Sequence, residues 1–304
     1  MSDAVKKRIV DEYIRMLESG VVPWRKPWTP GVPMSYYSHT PYRGINHMSL
    51  AMTPHKSVWW ITDTAIKRAG GRWKDGVEPM PVLSVTSRVA FYEDKATGEK
   101  KKHIKRGSKY FRVFNADDVE GIEFPAENML EFTPIEALEK IFDAMQNKPL
   151  IYERNEGRCY YMPHYDKIVM QNAAQFASML DWYHVRAHET IHAAGHPTRC
   201  DRPEIAKFVN DPYGSTFEIS EYALEELTAE IGASMLLARA GAETQVQPNT
   251  VAYVDHYLKL LKRDPQVLFT AANRAQTAVS YILNEKVGYD EEEETSEAAH
   301  STAG

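Results

Sequence analysis

Apolar residues recur at helical spacing over residues 3–19, where Ile9, Tyr13, Met16 and Leu17 share a face and Gly20 is placed to stop the helix. From Val21 to Pro41 the chain is rich in Pro, Trp and Tyr, which predicts an irregular, aromatic-bearing segment. Trp59-Trp60-Ile61 leads into a short helix over 62–69 that Gly70-Gly71 closes. The β-branched and aromatic runs 82–92 and 109–115 predict two strands around a basic turn over 95–107. Thr133-Pro134-Ile135-Glu136 then reads as a helix start, with a cap, Pro at the first position and Glu three after the cap. Beyond it the pattern predicts a hairpin over 151–161, turning at Asn155-Glu156-Gly157, and helices over about 174–194, 221–240, 251–262 and 266–284.

These elements define an α+β chain. A small α+β domain is expected over 1–130 and a mainly helical one over 131–289, joined near Phe124 to Phe132; the acidic, small-residue tail 290–304 is expected to be disordered. With 304 residues, 43% apolar and 26% charged, the composition is that of a globular protein, and no apolar run reaches the roughly 20 residues of a membrane span. The charged N-terminus lacks the features of a secretory signal, so a cytoplasmic protein is expected. Cys159 and Cys200 form no CxxC pair and read as plain thiols. The net charge of −6 divides unevenly: residues 1–130 carry 21 Lys/Arg against 15 Asp/Glu, and 131–304 carry 15 against 27. A basic half joined to an acidic one fits a nucleic-acid-facing domain beside one with other work, although such a modest excess also occurs on proteins that bind nothing.

The sharpest chemistry lies in His188-Glu189-Thr190-Ile191-His192. On a helix, residues four apart share a face, so both imidazoles reach one cation while Glu189 approaches a water bound to it. Zn²⁺ is the expected ion and Glu189 the expected catalytic base. The plainer alternative is a helix with half-buried histidines. Phe176, Leu180, Tyr183 and Ala187 supply a core-facing stripe into the motif, and Gly195 ends it. His196 follows His192 too closely to be a third ligand of the metzincin kind and reads as a helix-end residue. Glu225, Glu226 and Glu230 lie one helix downstream; Glu226 is the expected third ligand, Glu230 is placed to orient His188 or His192, and Glu225 reads as a solvated position.

In the first half, Trp24-Arg25-Lys26-Pro27-Trp28 and Tyr42-Arg43-Gly44-Ile45-Asn46 interleave aromatic and basic residues, the mixture that holds single-stranded nucleic acid. Trp24, Arg25, Lys26, Trp28, Tyr42, Arg43 and Asn46 are the candidate DNA contacts. Five of the six Trp fall within the first 73 residues, so packing is the competing explanation. Lys100-Lys101-Lys102 with Lys105-Arg106 reads as a solvated basic loop.

Over about residues 5–285 the chain resembles the ArdC antirestriction family of conjugative plasmids and phages, whose N-terminal domain also stands at the front of TraC-type primases. The likeness rests on Pro23 to Trp28, Pro41 to Asn46, Val113 to Gly121, Asp166-Lys167-Ile168, His188 to Pro197 with Arg199, Tyr222 to Ala233, and Ala275-Gln276. It implies a single-stranded-DNA-binding domain followed by a zincin-like metallopeptidase domain, protecting incoming plasmid or phage DNA from host restriction. A host protein then becomes a possible peptidase substrate, and a purely structural metal site the alternative. Trp73 to Pro79 departs from the family's Lys-Gly-Glu-type turn, and Thr190-Ile191 replaces the usual apolar pair within the metal motif.

Overall fold

The computed structural model describes residues 2–25, 31–93, 100–126, 133–154, 157–242 and 251–285. The first half runs α1 (Ser2–Glu18), a 3-10 turn at Pro23–Arg25, β1 (Met34–Ser35), α2 (Gly44–Ala51), β2 (Trp59–Thr62), α3 (Asp63–Arg68), β3 (Arg72–Trp73), β4 (Met80–Glu93), β5 (Lys100–Asn115) and β6 (Val119–Glu120). A four-stranded sheet has the order β1-β2-β5-β4, with β1 parallel to β2 and the other neighbours antiparallel; β3 and β6 form a separate pair. Successive strand residues face opposite sides. Trp60 and Val113 therefore meet Leu50 and Val82 on one face, while Ile61 and Phe114 meet Ile66 and Val119 on the other.

The stretch expected as a basic turn is largely strand. β4 and β5 pair from Met80↔Val113 to Glu93↔Lys100, so Lys100 to Gly107 form one arm of a ribbon. Pairing of the backbone with β4 overrides the weak strand preference of lysine.

The second half runs α4 (Pro134–Ala144), β7 (Leu150–Glu153), β8 (Tyr160–Met162), β9 (Lys167–Met170), α5 (Met179–Ala194), α6 (Pro203–Asn210), α7 (Ile219–Arg239), α8 (Val251–Arg263) and α9 (Gln266–Ile282). The capping box before α4 forms as the sequence predicts: Thr133 Oγ1 accepts from the Glu136 amide and Glu136 accepts from the Thr133 amide. The 151–161 hairpin does not form. β7 and β8 each pair with β9 instead, parallel and antiparallel respectively, because Lys167 to Met170 supplies a buried apolar strand that both can flank. The helix expected from about 174 begins at Met179; Ser178 caps it by accepting from the Asp181 amide, and Phe176 lies ahead of it. The expected tail, 290–304, lies outside the described residues.

α7 is the central helix. Leu227, Ala229, Ile231, Ala233, Leu236 and Leu237 are all buried, so it is apolar around most of its circumference and packs against α4, α5, α8 and α9. Gly232 lets α5 approach closely, since a Cβ there would stand 2.6 Å from Ile191 Cδ1. The principal core crosses the join between halves: Ile9, Tyr13 and Leu17 of α1 and Ile45 and Met48 of α2 belong to the same cluster as α5, α7 and α9. No helix among the described residues is long and apolar enough to cross a membrane.

Gly232→Val forces α5 and α7 apart and is expected to cost about 1–3 kcal/mol of stability, as overpacking does. Urea unfolding should show part of that loss recovered when Ile191→Ala is added. No recovery would mean that the contact between these helices is not the source.

Candidate metal centre

One helical turn separates His188 from His192 on α5, and their Nε2 atoms stand 3.0 Å apart. α7 brings the Glu226 carboxylate to 3.5 Å from each Nε2. One ligand atom from each of these three residues lies within 4.8 Å of the others. The opposite ring nitrogens are held from behind: His192 Nδ1 is 2.9 Å from Glu225 Oε1, and His188 Nδ1 is 3.4 Å from Glu230 Oε1. Each imidazole that donates through Nδ1 leaves an Nε2 lone pair directed at the shared point.

Glu225 is not solvated, contrary to the expectation from sequence. It is 1% exposed and forms a buried ion pair in which Arg202 Nε donates to Oε2 at 2.9 Å and Nη2 donates to Oε1 at 2.6 Å. Arg202 Nη2 also donates to the Ile191 carbonyl at 2.6 Å, so this guanidinium caps the C-terminal end of α5. Gly195 makes room for it; a Cβ there would lie 2.7 Å from the guanidinium.

The charges are strongly coupled. Burial alone would depress the His192 imidazole, but Glu225 and Glu226 outweigh it and raise its pKa to about 9. His188 is likewise opposed by burial and raised well above its ordinary value by Glu226 and Glu230. Burial would raise Glu225, yet Arg202 and His192 hold it at about 2; Glu226, with both imidazoles beside it, lies well below the usual carboxylate range despite its burial.

A cleft of about 670 Å³ opens over this cluster. Glu189, 8% exposed, lines it beside both histidines, and Phe208, Phe217 and Tyr222 form an aromatic wall. Among the described residues, no Lys or Arg lines the cleft. His184, buried one turn before His188, also faces it; its spacing of four from His188 was the signal available in the sequence. Arg202 had no such signal, because it reaches Glu225 only through the chain reversal after α5. His196 lies beyond α5 and bonds Thr198, as a helix-end residue does.

The N-terminal candidates are dispersed. Trp24 is 1% exposed, its ring edge-on to Tyr257 with centroids 5.1 Å apart, and its carbonyl accepts from Ser234 Oγ on α7. The ring is therefore core, with no face left for a base, which corrects the expected stacking role. Asn46 is also committed elsewhere: its side chain donates to the Leu83 carbonyl at 2.7 Å and accepts from the Leu83 amide at 2.8 Å, clamping α2 to β4. Tyr42 and Arg43 are half-buried at the start of α2. The Arg25 side chain, Lys26 and Trp28 lie outside the described residues.

Two family models match successive parts of this chain. Residues 3–115 match the model for the N-terminal domain of anti-restriction factor ArdC, and residues 136–274 match a zincin-like metallopeptidase. The chain is thus a two-part protein in which a zincin-like metallopeptidase domain follows an ArdC-type N-terminal domain. Two crystal structures of the antirestriction ArdC protein from the R388 plasmid, metal-free and Mn(II)-bound, are 32% and 30% identical to it. They match 92% of this chain and 98% and 97% of their own, with TM-scores of 0.68 and 0.69. The chain belongs to the ArdC family of antirestriction proteins. A DNA primase TraC from Escherichia coli is 29% identical over 316 residues and matches 98% of this chain, but the chain spans only 29% of that primase's length. A second TraC from the same species is 29% identical over 296 residues, which take in 90% of this chain and 19% of that primase.

The depressed Glu225 carboxyl gives a pH window. Its folded pKa of about 2 lies below the ordinary 4.5, so its contribution is complete above pH 4.5 and disappears as pH falls toward 2. The contribution is on the order of 3 kcal/mol. Glu225→Gln should remove that segment of the acid-unfolding curve. Arg202→Met, which leaves the buried carboxylate with His192 but without its guanidinium partner, should destabilise by about 3–5 kcal/mol near neutrality, and an unchanged melting temperature would refute the pairing.

Proposed function

We propose that this chain is a metal-dependent peptide hydrolase joined to a DNA-binding half, and that it protects incoming plasmid or phage DNA from restriction in the bacterial cytoplasm. The observation that carries the hydrolase reading is the convergence of His188 Nε2, His192 Nε2 and Glu226 on one point, with Glu189 in the same cleft. Two imidazoles and a carboxylate are a donor set that fits Zn²⁺, and an ArdC relative is described in a Mn(II)-bound form. A bound divalent cation supplies Lewis acidity, polarising a carbonyl and lowering the pKa of water to about 7.

The remaining chemistry belongs to the protein. Glu189 takes the proton of the attacking water and returns it to the departing amine nitrogen. Glu225 and Glu230 keep the two imidazoles in the tautomer that leaves Nε2 unprotonated. The acidic lining, with no Lys or Arg among the described residues, disfavours a phosphodiester in the cleft and suits a polypeptide. A purely structural metal would ordinarily have four closed ligands, often with Cys, whereas this set offers three and an adjoining cleft. For the basic half, 1–130, the family relationship and the excess of Lys/Arg support single-stranded DNA binding, with Arg25, Lys26, Trp28, Tyr42 and Arg43 as remaining contacts.

Glu189→Gln should keep metal content and oligonucleotide affinity while abolishing hydrolysis of an unfolded protein such as casein, and it should retain most protection in a transfer assay into a restricting host. Loss of protection with DNA binding intact would make hydrolysis the mechanism of protection. His188→Ala should empty the site by elemental analysis; if Glu226→Ala stays fully loaded while Glu230→Ala does not, the third ligand is Glu230.

Metal affinity should also follow proton competition. Because His192 titrates near 9 in the metal-free protein, a cation must displace a proton at neutral pH, so apparent affinity for Zn²⁺ rises between pH 6.5 and about 9. Calorimetric titration in buffers of different ionisation enthalpy should register the released proton. Affinity independent of pH over that interval would contradict the proton competition.

A further inference from the structure

The three-stranded sheet of the second half presents one face to the core and one to solvent. Its order is β7-β9-β8, and the register sets Ile151 and Tyr161 opposite Ile168, and Tyr152 and Tyr160 opposite Val169. Residues opposite one another share a face, and successive residues alternate between faces. Ile168 and Met170, both 0% exposed, belong to the principal core, and Tyr161 packs against it, so the face of Lys167 and Val169 is the outer one. Tyr152 and Tyr160 flank Val169 there, two strand spacings or roughly 10 Å apart.

Cations interleave with the rings on this outer face. Lys167 Nζ lies 5.0 Å from the ring centre of Tyr152 and 5.7 Å from that of Tyr165, and the Arg158 guanidinium lies 5.2 Å from the ring centre of Tyr160. Tyr152 and Tyr165 are 44% and 49% exposed, and Arg158 is exposed as well. The carboxylates nearest in sequence are turned elsewhere: Asp166 pairs with Arg199, whose side chain is buried, and Glu153 stands opposite Met170 in the other set. The second half is acidic as a whole, yet the charges over these rings are positive.

Rings and cations on one sheet face are the combination that holds a single-stranded nucleic acid. The cations track phosphates, and the rings offer stacking surfaces to bases freed from their pairs. A duplex keeps its base faces stacked inside, so it gains the charges alone. We propose that Tyr152, Arg158, Tyr160, Tyr165 and Lys167 form a contact surface for single-stranded DNA on the zincin-like half of the chain. The surface shares its ligand class with the contacts proposed for the first half and depends on none of their residues. Tyr160 also borders the cleft, so a strand held on this face runs past the mouth of the metal site.

The test is fluorescence anisotropy of the full chain with a labelled single strand of about 20 nucleotides and with the corresponding duplex. Y152A/Y165A should lower single-strand affinity about tenfold and leave duplex affinity within about threefold. R158Q/K167Q should make the slope of log affinity against log salt shallower by about 1.4 for the single strand, at about 0.7 per phosphate. Tyr160 stays unaltered in both, because it borders the cleft. R25Q/R43Q serves as the first-half arm. If R25Q/R43Q weakens single-strand binding while both sheet variants match wild type, the proposal is overturned and the first-half contacts stand; the reverse pattern supports the sheet surface and removes those contacts. A wild-type chain that binds no single strand overturns both. Equal losses for strand and duplex in Y152A/Y165A would overturn the stacking surface, and so would weaker binding of unfolded casein with the oligonucleotide unaffected, which gives the face to polypeptide. Photo-crosslinking of wild-type chain to a strand carrying 5-bromodeoxyuridine needs no variant: adducts should map to peptides holding Tyr152 or residues 158–167, and adducts confined to the first half would overturn the proposal.

Discussion

The buried ion pair between Arg202 and Glu225 is the interaction on which the candidate metal centre depends. It meets three requirements at once. The guanidinium satisfies carbonyls at the end of α5, neutralises a carboxylate that is 1% exposed, and leaves that carboxylate oriented to accept from His192 Nδ1. An unpaired charge at that depth would be expelled or neutralised. With the pair in place the imidazole is fixed in rotation and in tautomer, and its Nε2 faces the point shared with His188 and Glu226. Gly195 and Gly232 are the backbone conditions for this arrangement: one admits the guanidinium, and the other admits Ile191 against α7.

The same electrostatics explain why the centre suits a divalent cation. Four carboxylates, Glu189, Glu225, Glu226 and Glu230, surround two imidazoles, and Arg202 offsets only one of them. In the metal-free protein the imbalance is met by protons on the histidines, which is the physical content of their raised pKa values. A cation takes over the role of those protons, so the site is built around positive charge whether or not metal is bound. The aromatic wall from Phe208, Phe217 and Tyr222 adds apolar area on one side of this acidic floor.

Much of this was legible along the chain, and the boundary of what was legible is physical. The α4 capping box, the HExxH helix and the Glu-bearing helix are local: cap, period and spacing lie within a few turns of one another, and the structure has them. What failed depends on partners distant in sequence. Glu225 looked like a surface residue because Arg202, which buries it, arrives through a chain reversal that periodicity does not encode. The 151–161 segment had the composition of a hairpin, yet β9 inserts between its arms. Lys100 to Gly107 had turn-like charge, and only its register against β4 makes it a strand. His184 was within reach of a spacing argument that stopped at the motif.

Trp24 shows how an apparently functional motif can contain its own structural anchor. Arg25 and Lys26 follow it in sequence, and it lies in a segment that matches the ArdC N-terminal domain; yet its ring lies against Tyr257 of α8 and its carbonyl on Ser234 of α7, one turn beyond Glu230. The first half is therefore pinned to the helix that carries Glu225, Glu226 and Glu230. With α1 and α2 contributing to the same core as α5, α7 and α9, the two halves are not independent beads on a linker. Shared packing gives the first half and the acidic cleft a defined relation in space.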